Sequence, residues 1–391
     1  MALRTVGNLK DSLSGLLQGV NLNNITNLNG AIERATRTLL TQIDIMEATG
    51  RQSVTLYNGV YDYLAPSDIF GGVFLDLRPQ GITRTAYNYT YKKPIEMFDR
   101  TKLYTPNGTM VTFEYNKGTP IMRVSQKTST VKTTLDTMTE TTGWVASGDA
   151  SSLNTDLAIY YTVPASIRFN LGAGGTQGIL TKTISSVDLT DEEGVGVVFL
   201  EAYLPSTTIS SIELRIGSDA SNYFSVTQTE GMLGAWKANE WTTIDFDLSG
   251  ATETGTVDIT HVDYVQILVN YTSVTALNNV RFGSLFIAMP APYELIYGTS
   301  AIFKVGSTMS NTITDDNDEI VLNDAAYVLF EYECANTIAI QSGGTLSSGL
   351  VQMYRAILYG SGSDLGLYAQ YRADNPSQEI RTVGNYYDDS I

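Results

Sequence analysis

The stretch WTTIDFDLS, residues 241–249, sets Ile244, Phe246 and Leu248 on one side of the chain and Asp245 and Asp247 on the other. Successive side chains of a β-strand point to opposite faces, so this alternation describes a strand with one face in a core and one in water. The same period recurs on both sides of it. Ala165, Ile167 and Phe169 alternate with Ser166 and Arg168, and Val198, Leu200, Ala202 and Leu204 share one face of a long strand. Ile212, Leu214 and Ile216 alternate with Glu213 and Arg215, Val265, Ile267 and Val269 repeat the pattern, and residues 280–287 close the set. About eight such runs, opening at Gly143-Trp144, predict two antiparallel sheets stacked face to face.

Charge marks out the same segment. Residues 1–132 hold 15 basic and 10 acidic side chains, a net of +5. Residues 133–290 hold 5 and 18, a net of −13, and residues 291–391 hold 4 and 13, a net of −9. Helical spacing is confined to the flanks. Val6, Leu9, Leu13, Leu16, Leu17 and Val20 predict one amphipathic helix. Leu28, Ile32, Ala35, Leu39 and Ile43 predict a second, capped by Asn27 or Asn29 and antiparallel to the first. Near the other end Val321, Ala325, Val328, Leu329, Tyr332, Ala335, Ile338 and Ala339 form an apolar stripe with Asn323 or Asp324 as its cap. A last helix passes through Leu350, Met353, Tyr354 and Ile357.

Between the first helices and the acidic segment, SVTLYNGVYDYLAP (53–66) predicts a hairpin turning at Asn58-Gly59. Residues 73–77 read as a strand, 95–102 as a short helix after Pro94, and TMVTFEYNKGTPIMRV (109–124) as a second hairpin turning at 116–118. The fold class expected is therefore α+β. A small helical and β-hairpin domain is split in sequence over 1–132 and 291–391, and an acidic antiparallel β-sandwich of jelly-roll type is inserted at 133–290, with Pro290-Ala291-Pro292 as the exit. A polar tail ends the chain. It repeats the Arg-Thr-Val-Gly-Asn of residues 4–8 at 381–385, a repeat that reads as chance.

Composition narrows the chemistry. With 391 residues, 43% hydrophobic and 17% charged, the chain is long enough for two or three folded domains. A net charge of −17 argues against coating nucleic acid over the whole surface. One cysteine, Cys334, leaves no internal disulfide framework and no multi-cysteine metal site. The N-terminus lacks the apolar core of a signal peptide, and the longest apolar run, 195–204, is interrupted by Glu201, so a soluble protein made in a cytosol, with no membrane partner, is expected.

No catalytic, metal or cofactor residues emerge. His261, the sole histidine, lies in DITHVDYVQ beside a strand, far in sequence from Cys334, and reads as a surface turn. Asp245 and Asp247 share a strand face as a glycoside-cleaving pair would, yet alternation with core residues favours a solvated face. Asp315, Asp316, Asp318 and Glu319 fail as a calcium loop. Counting from Asp315, the places for the required Gly and Glu are held by Ile320 and Ala326. Two surface candidates remain. Arg78, Arg84, Lys92, Lys93, Arg100 and Lys102, interleaved with Tyr87, Tyr89 and Tyr91, suit a protein partner with an acidic rim or passing double-stranded DNA, against a plain strand with a basic outer face. Trp144, Trp236 and Trp241 are candidates for stacking on a surface glycan, since an indole face matches the apolar face of a sugar ring; Trp241, leading into a core strand, reads better as structural.

Two resemblances follow from these residues. Gly143-Trp144, the stretch 241–249 and Asp263-Tyr264-Val265-Gln266-Ile267 resemble the jelly-roll sandwiches of carbohydrate-binding modules. LKDSLSGLLQGVNLNNITNLNGAIERATRTLLTQID (9–44) and NDAAYVLFEYECANTIAIQSG (323–343) resemble, in general pattern, the head-to-tail connector (adaptor, neck) proteins of tailed bacteriophages. That resemblance implies a non-enzymatic virion protein assembled in the bacterial cytoplasm as a homo-oligomeric ring, twelvefold in the family. Its implied partners are the portal, other neck and tail proteins, and DNA in transit. The alternative it leaves is a glycan-binding tail or neck decoration protein that uses the sandwich for host attachment.

Overall fold

The computed structural model describes residues 4–18, 21–43, 45, 47–80, 90–91, 110–116, 119–125, 131–162, 164–341 and 348–375. The fold is α+β with a β-sandwich at its centre. One sheet of the sandwich runs Glu240–Asp247, Val197–Leu204, Leu277–Ala288, Ser166–Leu171 and Ala150–Asp156, with Lys132–Asp136 also paired to Leu277–Ala288. The other runs Thr252–Thr254, Asn222–Gln228, Ile209–Asp219, Val262–Tyr271, Gln177–Val187 and Val145–Gly148. Every pairing within both sheets is antiparallel. The alternating residues meet between them: Leu200, Phe246, Phe282, Ile212, Leu214 and Ile267 are fully or almost fully buried in one core.

A second core belongs to five helices: α1 (Val6–Leu16), α2 (Leu28–Gln42), α3 (Asp324–Gln341), α4 (Ser348–Tyr359) and α5 (Leu367–Asp374). Helix α3 is apolar nearly all round and forms the axis against which the other four pack, as such a helix must. Asn27 and Asn323 accept the orphan amides of Gly30 and Ala326 at 3.1 and 2.9 Å, so both predicted caps are present. The first two helices dock on α3 rather than standing as an isolated pair. Backbone bonds knit the two ends of the chain: Ile320 N–H donates to Arg4 O at 2.7 Å, and Val6 N–H to Asp318 O at 2.9 Å.

A third, smaller core lies between these bodies. Thr49–Tyr57, Pro290–Thr299 and Ile69–Pro79 make a three-stranded sheet, and Asp62–Leu64, Thr119–Ser125, Met110–Asn116 and Thr90–Tyr91 a four-stranded one. Leu56, Val111, Phe113, Met122 and Leu295 pack between them. They also enclose Val197, Phe199, Phe286 and Ala288, which leave the sandwich through the outer face of its first sheet.

Two expectations are corrected here. Asn58-Gly59 does make a tight turn, with Val60 N–H donating to Tyr57 O at 3.1 Å and Gly59 at φ +96°, a left-handed conformation suited to glycine. It does not join a hairpin. Residues 49–57 pair over nine positions with 290–299, whereas 62–64 pair with 119–125, because each run finds its partner in a distant segment. Pro290 and Pro292 likewise do not end the β-structure; they begin a ten-residue strand, where a missing amide is tolerated. The second predicted hairpin pairs as expected between 110–116 and 119–125. The helix expected at 95–102 lies outside the described residues.

Candidate functional site

Part of the outer face of the first sandwich sheet is covered by the third core, where Phe199 meets Tyr57 at 4.9 Å and Phe286 at 5.3 Å between ring centres. Beyond that contact the same face carries Glu201, Tyr203, Trp241 and Arg281. Trp241 and Tyr203 are cross-strand partners on adjacent strands, and their rings meet edge-on at 5.7 Å. Tyr161 closes on the indole at 5.8 Å, so three aromatic rings make a partly exposed cluster.

Residues 157–162 carry Tyr161 across the sheet, and polar side chains beneath hold them there. Asp156 accepts the amides of Ala158 and Ile159 at 2.9 and 3.2 Å, turning the chain out of its strand. Ser166 Oγ donates to Ile159 O at 2.7 Å. Thr162 Oγ1 donates to both oxygens of Glu201, at 3.2 and 3.0 Å. The tip of this segment is apolar and open to solvent, Leu157 being 73% and Ile159 and Tyr160 each 38% exposed.

Two buried carboxyls, Asp156 and Glu201, form the floor. Asp156 takes Arg281 Nε at 2.8 Å, with Arg168 at 3.7 Å, and the Arg281 guanidinium sits 5.0 Å from the centre of the Tyr203 ring. Burial alone would raise the Asp156 carboxyl, but its amide and guanidinium hydrogen bonds outweigh that and hold it below the ordinary range. Glu201, only 3% exposed, has no such guanidinium. Desolvation pushes it up to about 7, against the hydrogen bonds from Ser284 N and Thr162 and the attraction of the Lys132 ammonium. A register shift opposite Glu201 explains how the carboxylate is accommodated. Leu200 pairs with Leu285 and Ala202 with Phe282, so the partner strand carries an extra residue there. Ser284 N–H turns to Glu201 Oε2 at 3.2 Å, and Gly283 leaves room: a Cβ at that position would come within 2.6 Å of the same oxygen.

The sequence candidates fall unevenly around this site. Trp241 belongs to it. Trp144 and Trp236, 6% and 8% exposed, are core residues of the sandwich and are corrected as glycan-stacking candidates: their ring faces are covered by neighbouring strands. Trp144 Nε1 reaches Asp136 at 3.5 Å, and Trp236 Nε1 has no hydrogen-bond partner among the described residues. Asp245 is half-buried beside Tyr57, and burial with Asp247 and Glu230 nearby raises its carboxyl. Arg78 is paired across strands with Glu294 through Nε at 2.9 Å. Arg84, Lys92, Lys93, Arg100 and Lys102 lie outside the described residues. His261 sits on an exposed turn beside Asp258, and Cys334 is fully buried in the helical core. Among the described residues no cluster of His, Cys, Asp and Glu is placed to hold a metal ion.

Glu201, Tyr203, Tyr161 and Arg281 were not singled out from the sequence. A signal existed at Glu201: a charged residue inside the long apolar run 195–204 marks a strand whose two faces are both buried. The helical body holds a separate cleft of about 760 Å³ between α2, α3 and α4, lined by Glu333, Asn336, Ile340, Arg355 and Tyr359 among others. Burial raises the Glu333 carboxyl there, though Tyr368 OH donates to it at 2.8 Å.

No protein-family model matches this chain, and no curated protein matches it. Among solved structures it is similar to a family 30 carbohydrate-binding module at 12% identity, over 41% of this chain and 88% of that one, with a TM-score of 0.33. A family 11 carbohydrate-binding module from Clostridium thermocellum, in complex with a β-1,3-1,4-mixed-linked tetrasaccharide, is similar at 12% identity over 44% and 99%, with a TM-score of 0.28. The enzymatically active domain of tailspike protein 4 of bacteriophage CBA120 is similar at 11% identity over 40% and 21%, with a TM-score of 0.26.

Proposed function

We propose that the chain is a non-enzymatic attachment protein whose sandwich binds a polysaccharide across the Trp241–Tyr203–Tyr161 face. The observation that carries this is the aromatic cluster itself, partly open to solvent and floored by the buried Asp156–Arg281 pair and Glu201. Aromatic rings supply flat apolar area for the faces of sugar rings. Asp156, Arg281 and Glu201 lie buried beneath the cluster and hold residues 157–162 and the strands that present the rings. Affinity electrophoresis of the full chain through gels containing bacterial surface polysaccharides tests it. Retardation by at least one polysaccharide, reduced in Trp241→Ala and Tyr203→Ala, supports the proposal; no retardation by any, or retardation indifferent to both substitutions, overturns it.

A second reading, the ring-forming connector of a phage neck that meets portal, tail and DNA in the virion, is favoured by one feature of the helical body. Val328, Ile340, Met353 and Tyr359 are each at least 43% exposed on α3 and α4, apolar area that suits packing between copies. Electron microscopy of the concentrated chain, alone and with a portal, tests it, and a particle that stays monomeric in both would end it.

A further inference from the structure

The pentapeptide that occurs twice in the sequence acquires a role at its first occurrence. Residues 4–8 enter a socket formed by 316–327. Arg4 pairs with Asp324, donates from Nη1 to Leu322 O at 2.9 Å, and lies 4.5 Å from the centre of the Tyr327 ring. Thr5 bridges Glu319 and caps α1, accepting Asn8 N–H at 3.2 Å. Val6 is fully buried, and Gly7 N–H donates to Asp316 O at 2.8 Å. Gly7 fits because the chains approach closely: a Cβ there would stand 3.2 Å from Asp316 O. Each residue of Arg-Thr-Val-Gly therefore meets a distinct feature of the socket.

The second occurrence, 381–385, repeats all five residues, and Asp388 then matches Asp11 at the same spacing. Two positions differ. Buried Leu9 is replaced by Tyr386, and Lys10, whose Nζ reaches Asp316 at 2.6 Å, by Tyr387. We propose that the socket 316–327 is an exchange contact between copies of this chain, entered by residues 381–388 of a second copy when its own N-terminal segment is displaced. The shared residues supply recognition. The two departures make the tail the weaker occupant, so each chain's own N-terminus holds the socket until copies are brought together.

Disulfide trapping between full-length chains tests this. A Cβ on Gly7 would lie 3.4 Å from Asp316 Cβ, close to the separation of about 3.5–4.5 Å that a disulfide spans. Chains carrying Gly7→Cys with Asp316→Cys serve as the control that the socket is folded, since they cross-link internally. Chains carrying only Asp316→Cys are then mixed with chains carrying only Gly384→Cys. The proposal expects a mixed disulfide dimer several-fold above that formed by Ser377→Cys chains, and its loss when Arg381→Ala accompanies Gly384→Cys. A mixed dimer no more abundant than with Ser377→Cys, or unaffected by Arg381→Ala, overturns the proposal. So does cross-linking confined to one chain when Asp316→Cys and Gly384→Cys are combined. Native Cys334 is buried and does not compete.

Discussion

Replacing Glu201 by Gln removes one buried titration and leaves the shape of the side chain. In the folded protein this carboxyl is carried from its ordinary 4.5 to about 7, chiefly by desolvation. The folded chain thus holds the proton more tightly than the unfolded chain. The corresponding stability is fully present below pH 4.5 and is lost as pH rises through about 7. A displacement of this size corresponds to about 3 kcal/mol between the two limits. The amide imitates the protonated acid: its oxygen accepts Ser284 N–H, and its nitrogen can donate to Thr162 Oγ1. Urea unfolding at intervals from pH 4.5 to 8, followed by tryptophan fluorescence, reads the sandwich, because all three tryptophans lie within it. Glu192 and Asp245 also have raised carboxyls and Asp156 a lowered one, so only the difference between variant and parent is diagnostic. That difference should be near zero at pH 4.5 and favour the variant by about 3 kcal/mol at pH 8. Parallel curves for the two proteins, or a variant less stable at pH 8, would refute the description of Glu201 as a buried acid whose desolvation outweighs its hydrogen bonds and the nearby Lys132 ammonium.

Other expectations follow from the same site and cores. Arg281→Met leaves Asp156 buried without its guanidinium and should cost about 3–5 kcal/mol in urea unfolding, with the Asp156 carboxyl moving upward. Trp144→Ala should cost about 3–5 kcal/mol by opening a cavity in the sandwich core. Trp241→Ala should instead leave unfolding nearly unchanged while weakening polysaccharide binding about tenfold, or about 1.4 kcal/mol. Tyr368→Phe removes the donor to buried Glu333 and should cost about 1.5–3 kcal/mol, more at pH 8 than at pH 5 because the ionised form loses most.

Much of the fold was legible because burial on one face leaves a periodic trace. Ile244, Phe246 and Leu248 alternate with polar residues and face the sandwich core; Leu9 and Leu13 recur at helical spacing and are fully buried. What escaped was long-range pairing. Asn58-Gly59 encodes a turn but says nothing of where the strand before it pairs, and the partner lies more than two hundred residues away at 290–299. The outer face of residues 197–204 went unread for a related reason. Its apolar positions Val197 and Phe199 serve the third core, which sequence periodicity alone does not predict. Of the candidate site, the sequence picked out Trp241 and left a trace at Glu201. Their companions Tyr161, Tyr203 and Arg281 are ordinary surface residue types, and only the crossing of residues 157–162 brings them together.

The claim that a sugar polymer is gripped by one open face of the sandwich is tested most directly by fluorine NMR of the full chain labelled with 5-fluorotryptophan. Three resonances are expected, one for each of Trp144, Trp236 and Trp241. Adding a polysaccharide that retards the chain should shift or broaden the Trp241 signal and leave the two core signals in place. Movement of the Trp144 or Trp236 signals with Trp241 unmoved would contradict the account, as would three unmoved resonances at saturating polysaccharide.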